Sequence, residues 1–329
     1  MARTAQTHPF EALKPERIVA AIESQGLRVE GEPFALNSYE NRVFDWRDEE
    51  GRRFIAKFYR PGRLDNEAIL EEHAFLDELE EAEVSIGPVW HNEHGETLHE
   101  HEGYRFALFK ALSGQPPELD NPAHLFALGE TIGQMHAVAS RRPFMHRATL
   151  SPGTVASQSR TRVLEQGWLT RRQRSAYERI TGELLHHLPV EAWPVSSLQR
   201  VHGDCHPGNI LGRDEHFALV DFDDCTMAPA VQDLWMLLSA SDPMEWQQQV
   251  SELIEGYEQY CDFDRRQLSW IEQLRTVRLL RYSAWLIERW EDPAFPRAFP
   301  WLSEEHYWDQ HIRTLEQQRV ALQQPNWLA

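Results

Sequence analysis

The sequence predicts an α+β chain of two lobes, a small antiparallel sheet followed by a larger, mainly helical body. Three observations carry that expectation. At 329 residues the chain exceeds the size at which a single core usually stops growing. Short alternating runs fill Phe34 to Phe109, and long helical periodicities dominate from about His124. Between them lies "LSGQPPELDNP", a Gly/Pro-rich stretch suited to joining lobes. The expected division is a sheet lobe of residues 1–111 and a helical lobe of residues 112–329.

"PFALNSYENRVFDW" reads as two strands joined at Asn37–Glu40, and the turn "DEEG" leads into a third, "RRFIAKFYRP", closed by Pro61. In "DNEAILEEHAFLDELEEAEV", Ile69, Leu70, Phe75, Leu76 and Leu79 recur at helical spacing behind the capping candidates Asp65 and Asn66, which predicts one amphipathic helix. Further strands follow in "SIGPVWHNEHGETLHEHEGYRFALFKAL", with turns at Asn92–Gly95 and Glu102–Gly103. Helical patterns then occupy "AHLFALGETIGQMHAVAS", "RRQRSAYERITGELLHHL", "AVQDLWMLLSA", "EWQQQVSELIEGYEQYC", "SWIEQLRTVRLLRYSAWLIERW" and about Tyr307–Leu322. One segment interrupts them, "LQRVHGDCHPGNILGRDEHFALVDFDDC", in which "NILG" and "FALVDF" read as a strand pair around the turn "RDEH".

Composition narrows the function. A balance of 33 basic against 52 acidic residues, net −19, repels polyanions and argues against nucleic acid or an anionic membrane as partner. Three cysteines without a CxxC pair exclude a disulfide framework and a structural zinc site. The segment "MARTAQTHPFEALKPERIVAAIE" has no signal-peptide core and no stretch approaches a membrane span, so a cytoplasmic protein is expected; a monomer is the expected state.

The interrupting loop crowds Asp204, Asn209 and Asp221 among small and bent residues. Each acid alone would read as a turn cap. Together, hard oxygen donors at this spacing suit Mg²⁺ and phosphoryl transfer, Asn209 and Asp221 as metal ligands and Asp204 left to receive the acceptor's proton. Lys57 stands mid-strand in the apolar run "FIAKFY", where a lysine needs a partner or a phosphate; a snorkelling edge-strand lysine is the competing reading. Glu72 shares the inward face of Phe75, Leu76 and Leu79, whereas Glu71 is rotated about 100° toward solvent.

His202-Gly203-Asp204 with Asn209 five positions on, then a strand ending in Asp221, resembles the catalytic and metal-binding segment of the protein-kinase-like fold. "HGDCHPGNI" with "VDFDD" is similar to its aminoglycoside phosphotransferase and choline kinase branch. Within that branch "PFALNSYENRVF", "IAKFYRP", "ILEEHAFL", "PAVQDLWML" and "DPAFPRAFPWL" resemble the bacterial stress-response serine/threonine protein kinases, over nearly the whole chain. The resemblance implies a bilobal kinase-like fold, ATP and Mg²⁺ as cofactors, and a protein substrate with a Ser/Thr acceptor, including the chain itself. It implies Asp204 and Asp221 as catalytic and Lys57 on the α/β-phosphates, held by Glu72. It also implies Ser38 at the nucleotide phosphates, where an ordinary turn serine is the alternative.

Two other functions remain open at this stage: a small-molecule kinase acting on a hydroxylated metabolite or aminoglycoside-like compound, and an ATP-binding scaffold without transfer. The chain also departs from the protein-kinase pattern. GxGxxG is absent, Asp223 stands where DFG has glycine, and no APE-like segment appears. The histidines of "HNEH", "HEH" and His186–His187 read as surface residues, since no carboxylate or cysteine set accompanies them. Asp233 is a candidate brace for the loop or a helix cap, and His136 a brace of the helical lobe.

Overall fold

The structure, a computed structural model, describes residues 8–189, 193–213 and 215–323. Residues 1–7, part of the segment read as lacking a leader, and Asp214 of the expected "RDEH" turn lie outside that set. In chain order the described elements begin α1 (Pro15–Glu23), β1 (Val29–Ala35), β2 (Arg42–Asp48), β3 (Arg53–Phe58), α2 (Asn66–Glu81), β4 (His99–His101) and β5 (Tyr104–Lys110). There follow α3 (Pro122–Ala139), α4 (Pro152–Glu165), α5 (Arg171–Leu185), β6 (Gln199–Val201), β7 (Ile210–Arg213), β8 (His216–Leu219) and β9 (Thr226–Ala228). The series closes with α6 (Pro243–Tyr257), α7 (Ile271–Glu288), α8 (Ala294–Ala298) and α9 (Glu305–Gln323). These elements fall into two compact units, one of Met1–Pro117, Met145–Arg147 and Gly208–Asp223, the other of Glu118–Phe144, Ala148–Pro207 and Asp224–Ala329.

The first unit is built on an antiparallel sheet in the order β1-β2-β3-β5-β4. Strand alternation sends Phe54, Ala56 and Phe58 of β3 to one face, where they join Trp46, Phe106, Leu108 and the Ile18 and Ile22 of α1 in a core cluster. Each such aromatic or aliphatic side chain, fully buried, contributes roughly 1.5–3 kcal/mol. The same alternation puts Lys57 on the opposite face, opposite Ala107 of β5 and Val43 of β2. Helix α2 starts where Asp65 accepts the Ala68 N–H at 2.8 Å. It buries Ile69, Glu72, His73, Phe75, Leu76 and Leu79. Leu70, expected on that face, is 46% exposed, because one residue of helical rotation carries it away from Ile69.

The β7–β8 hairpin belongs to this first unit. Ile86 bridges Leu219, Gln115 bridges Gly212, and the Gly87 N–H donates to the Leu219 carbonyl at 2.9 Å. These backbone bonds tie residues 208–223 to the sheet, so the compact units are not the two contiguous stretches that a single cut at 111 would make. Asn209 and Asp221 thus group with Lys57, and Asp204 groups with the helices.

In the second unit α3 and α6 approach backbone to backbone. A Cβ on Gly129 would collide with the Leu253 carbonyl, and one on Gly256 with that of Phe126, so both positions require glycine. Helix α4 lies in "PGTVASQSRTRVLE", whose sparse apolar residues give no clear helical period, and it buries Ala156, Ser159 and Val163. "AVQDLWMLLSA", expected as an α-helix, instead forms two 3-10 turns, Ala230–Asp233 and Trp235–Leu237. Asp233 is drawn out of helical service by the loop it supports, and the Val231 N–H is satisfied by the Gln267 side chain at 3.1 Å. Among the described residues no helix is long and apolar enough to cross a membrane.

Candidate active site

Lys57 is 5% exposed, and burial of an ammonium has to be offset by nearby anions. Its Nζ donates at 2.9 Å to both Asp221 Oδ1 and Asp223 Oδ1, stands 4.0 Å from Glu72 Oε1, and lies 5.1 Å from the Phe109 ring centre. Burial alone pulls the lysine pKa down; Asp221, Asp223 and Glu72 outweigh it and hold it well above the ordinary value. Lys57 is therefore a fixed positive charge facing the open end of the hairpin.

That end carries the two expected metal ligands. Asn209 precedes β7 and Asp221 follows β8, and the Val220 N–H closes on the Asn209 carbonyl at 3.0 Å. Asp221 adopts a left-handed backbone, φ +64°, uncommon for a residue with a side chain, and its carboxylate is 50% exposed. Two hard oxygen donors fit Mg²⁺, which takes one or two protein ligands and completes its shell with phosphate and water. The Lys57 ammonium on Asp221 shows that the carboxylate accepts a cation there. Among the described residues no cluster of three or more His, Cys, Asp or Glu forms a self-sufficient metal site.

Asp223 proves to be the hub of this unit. Besides Lys57 it receives Arg63 at 3.0 Å and, in a short hydrogen bond, the Asn41 amide. Asn41 also accepts the Arg60 N–H at 3.0 Å. Burial raises the Asp223 pKa, but Lys57 and Arg63 overcome it and hold the carboxyl well below the usual range. Through Asn41 the hub anchors the turn between β1 and β2. Ser38 sits there half-buried, with its N–H on the Leu36 carbonyl at 2.8 Å and its hydroxyl 3.4 Å from the Asn41 carbonyl.

Glu72, fully buried, lies within ion-pair range of Lys57, but its hydrogen-bonded partner is Arg147. Arg147 is itself buried and also donates to the carbonyls of Ala68 at 2.8 Å and Asp223 at 2.7 Å. Glu71 does not face solvent as its helical phase suggested. Its carboxylate accepts the backbone N–H groups of Met145, His146 at 2.8 Å and Arg147 at 2.9 Å. Adjacent glutamates thus hold the same three-residue segment, Glu71 by its backbone and Glu72 by its guanidinium. Sequence reasoning passed over Arg147 because its partner lies 75 positions away; the one visible signal at Asp223 was an acid in place of glycine.

In the second unit Asp204 follows Gly203, whose φ is +86° and whose missing Cβ leaves room for the Asp224 carbonyl. Asp233, fully buried, accepts the His202 N–H at 2.6 Å and the Gly203 N–H at 2.8 Å. His136 bonds the same carboxylate at 3.0 Å and meets the Tyr257 hydroxyl at 3.0 Å. Asp233 is therefore a brace, not a helix cap. His202 is buried, with Nδ1 accepting the Asp204 N–H at 3.3 Å. Asp204 itself stands 3.5 Å from His206 Nε2 and accepts from Arg278 of α7 at 2.6 Å. Burial raises its pKa, yet His206 and Arg278 prevail and keep it well below the carboxylate norm. Cys205 is buried and its thiol pKa pushed well up by desolvation, the opposite of a reactive thiol. Of the tempting histidines, His91 pairs with Asp77 at 2.9 Å. His99, read as a surface residue, is buried beside Trp90 and Phe106.

Residues 31–271 match the phosphotransferase enzyme family. The chain belongs to that family. Stress response kinase A of Escherichia coli K12 is 41% identical over 317 residues, covering 96% of this phosphotransferase and 95% of the relative. The serine/threonine protein kinase RdoA of Salmonella typhimurium LT2 is 41% identical over 318 residues, with the same two coverages. Among solved structures, amicoumacin kinase hAmiN in complex with AMP-PNP, Ca²⁺ and Ami superposes with a TM-score of 0.67 at 20% identity, over 90% of this chain and 89% of that one. Spectinomycin phosphotransferase APH(9)-Ia in complex with ADP and spectinomycin gives 0.66 at 13% identity, over 94% and 99%. The structural likenesses establish the fold, a kinase-like α+β architecture with an antiparallel-sheet lobe and a larger helical lobe. Family and relatives together make this phosphotransferase a kinase.

Proposed function

We propose that this kinase transfers the γ-phosphoryl group of ATP to a serine or threonine hydroxyl of a protein, with Mg²⁺ as its metal. The observation that carries the reading is the buried Lys57 fixed between Asp221 and Asp223. Three cations, Lys57, Arg63 and Arg147, balance three carboxylates, Glu72, Asp221 and Asp223, in that cluster. A ligand that brings its own neutralising cation disturbs such a balance least, and a metal-complexed nucleotide is one.

Asn209 and Asp221 would hold the magnesium ion, which when bound neutralises phosphate charge. Lys57 orients the α/β-phosphates by exchanging Asp221 for them while Asp223 retains it, and Ser38, whose N–H is held by the Leu36 carbonyl, offers its hydroxyl to the phosphates. The acceptor oxygen then attacks the γ-phosphorus. Its bond to phosphorus forms as the bond to the β,γ-bridging oxygen breaks, ADP leaves, and the acceptor's proton passes to Asp204. The carboxylate is ionised throughout the neutral range but is a weak base while His206 and Arg278 hold it, so proton transfer requires that hold to relax.

The protein acceptor rests on the relatives' printed names, as does a role in stress response. We place the activity in the cytoplasm, where cysteines stay reduced, and in a monomer. A small-molecule acceptor is the second reading, favoured by a cavity of about 830 Å³ in the second unit, a size typical of small-molecule sites. Incubation with γ-labelled ATP and Mg²⁺ decides, with a generic protein, an aminoglycoside or choline as acceptor. Label on protein hydroxyls supports the first reading, and label confined to the metabolite replaces it with the second. Asp204→Ala should abolish transfer and keep most Mg·ATP affinity, whereas Asp221→Ala should lose both; equal loss of affinity in the two variants would refute the assignment.

A further inference from the structure

The cavity in the second unit opens beside Asp204, since His206 and Arg278, the two groups that hold this carboxylate, both line it. Its walls carry Trp235, Tyr282, Trp301 and Tyr307, with Arg275 and Arg278 one helical turn apart on α7. Aromatic walls by themselves would suit a cation. Two guanidinium groups on one wall oppose that, and among the lining residues Glu304 is the single acid. Arg275 is already engaged, paired with Glu272 at 2.8 Å and lying 5.9 Å from the Trp235 ring centre. Arg278 is differently placed. It is half-exposed, and the group it holds at 2.6 Å is the base itself.

We propose that this cavity takes the acceptor segment and selects one carrying an anionic group, a carboxylate or a phosphate monoester, next to the acceptor hydroxyl, for which Arg278 leaves Asp204. The inference rests on the phosphotransfer reading of Asp204 and adds the substrate class to it. While Arg278 occupies Asp204 Oδ1, that oxygen is not available to an acceptor hydroxyl. A partly exposed ion pair of this kind contributes little in water, so an anion entering between Arg278 and the aromatic wall can take the guanidinium over. The planar fork of Arg278 matches either anion bidentately. Arrival of the correct acceptor is thereby coupled to release of the base, and a neutral or cationic segment leaves Asp204 covered. The overall charge of −19 slows the approach of acidic segments at low salt; the local guanidinium governs which segment stays.

The test uses the full chain and short serine peptides that differ at the residue beside the acceptor: glutamate, phosphoserine, alanine or lysine. Binding is read from tryptophan fluorescence and transfer from γ-labelled ATP. The wild type should bind the glutamate or phosphoserine peptide about tenfold more tightly than the lysine peptide, and which of the two leads identifies the source of the anion. Arg278→Gln should erase the preference and Arg278→Lys should restore part of it. Arg281→Gln, whose guanidinium serves Asp224 at 3.0 Å, should leave it intact. Equal binding of all peptides by the wild type, binding of none, or the same loss in Arg281→Gln would overturn the inference. Transfer to every peptide alike sinks it and spares the phosphotransfer reading; selective binding without any transfer does the reverse.

Discussion

Replacing Arg147 tests whether Glu72 is primarily its partner or that of Lys57. Both side chains are nearly inaccessible, 3% exposed for Arg147 and 0% for Glu72. Arg147→Met would strand a buried carboxylate with Lys57 at 4.0 Å and leave the carbonyls of Ala68 and Asp223 without this donor. Breaking a buried pair from one side costs about 3–5 kcal/mol, and we expect ~4 kcal/mol here. Glu72→Leu strands the guanidinium instead and should cost ~3–4 kcal/mol. In the double variant neither charge is buried alone, so its cost should stay near ~4 kcal/mol, which is a coupling of about 3–4 kcal/mol. Urea unfolding of the four proteins, followed by circular dichroism, supplies the cycle. The matching cycle for Lys57→Met with Glu72→Leu should give less than ~1 kcal/mol in the absence of nucleotide, because Asp221 and Asp223 hold the lysine directly. Additivity of the Arg147 and Glu72 changes to within about 0.5 kcal/mol would refute the pairing.

Two further outcomes follow from the same geometry. Glu71→Ala removes the acceptor of three backbone N–H groups and should destabilise by about 1–3 kcal/mol, with faster amide exchange at residues 145–147; an unchanged melting temperature and exchange rate would show that water replaces the carboxylate without loss. Acid should begin to weaken the fold near the ordinary histidine value, above the range in which most carboxylates titrate. Burial lowers the pKa of His73 to about 3 and that of His311 to about 4, so each is neutral when folded and binds a proton near its ordinary value of about 6.5 when unfolded. Their contribution is complete above that value and is lost as pH falls through the window below it, by ~2 kcal/mol each at about pH 5. Melting temperatures compared at about pH 7.5 and pH 5 check this. His73→Gln should flatten the dependence, and a profile unchanged by that substitution would assign it to other groups.

What could be read before the structure was what chain-local spacing encodes. Asp204, Asn209 and Asp221 stand out because three oxygen donors crowd one turn-rich stretch, and Lys57 because it is a charge within an apolar strand. The α+β class was equally legible, since a period of 2 dominates Phe34 to Phe109 and a period of 3.6 the residues beyond about His124, although the hairpin of residues 208–223 returns to the sheet unit. Contacts between distant positions were not legible. Helical phase placed Glu72 correctly inward, but it could not reveal that residues 145–147 arrive to claim both Glu71 and Glu72. Arg278 carries no local signal, as its partner lies 74 positions earlier. The 3-10 turns around Asp233 defeated a helical reading for the same reason: a helix period predicts the solvent-free face and says nothing of a carboxylate recruited by a loop.

The left-handed backbone at Asp221 bears on how this enzyme would respond to selection. Glycine enters that conformation freely, while aspartate does so at a cost on the order of 1 kcal/mol. The dihedral alone would thus favour Gly at position 221, whereas the buried Lys57 ammonium, 2.9 Å away, needs a carboxylate there, as would the proposed metal site. A variant library screened only for heat resistance should therefore keep an acid at this site, because glycine would leave the buried lysine with one counter-charge fewer. Backbone strain and ion pairing are opposed at one residue, and the pairing outweighs the strain.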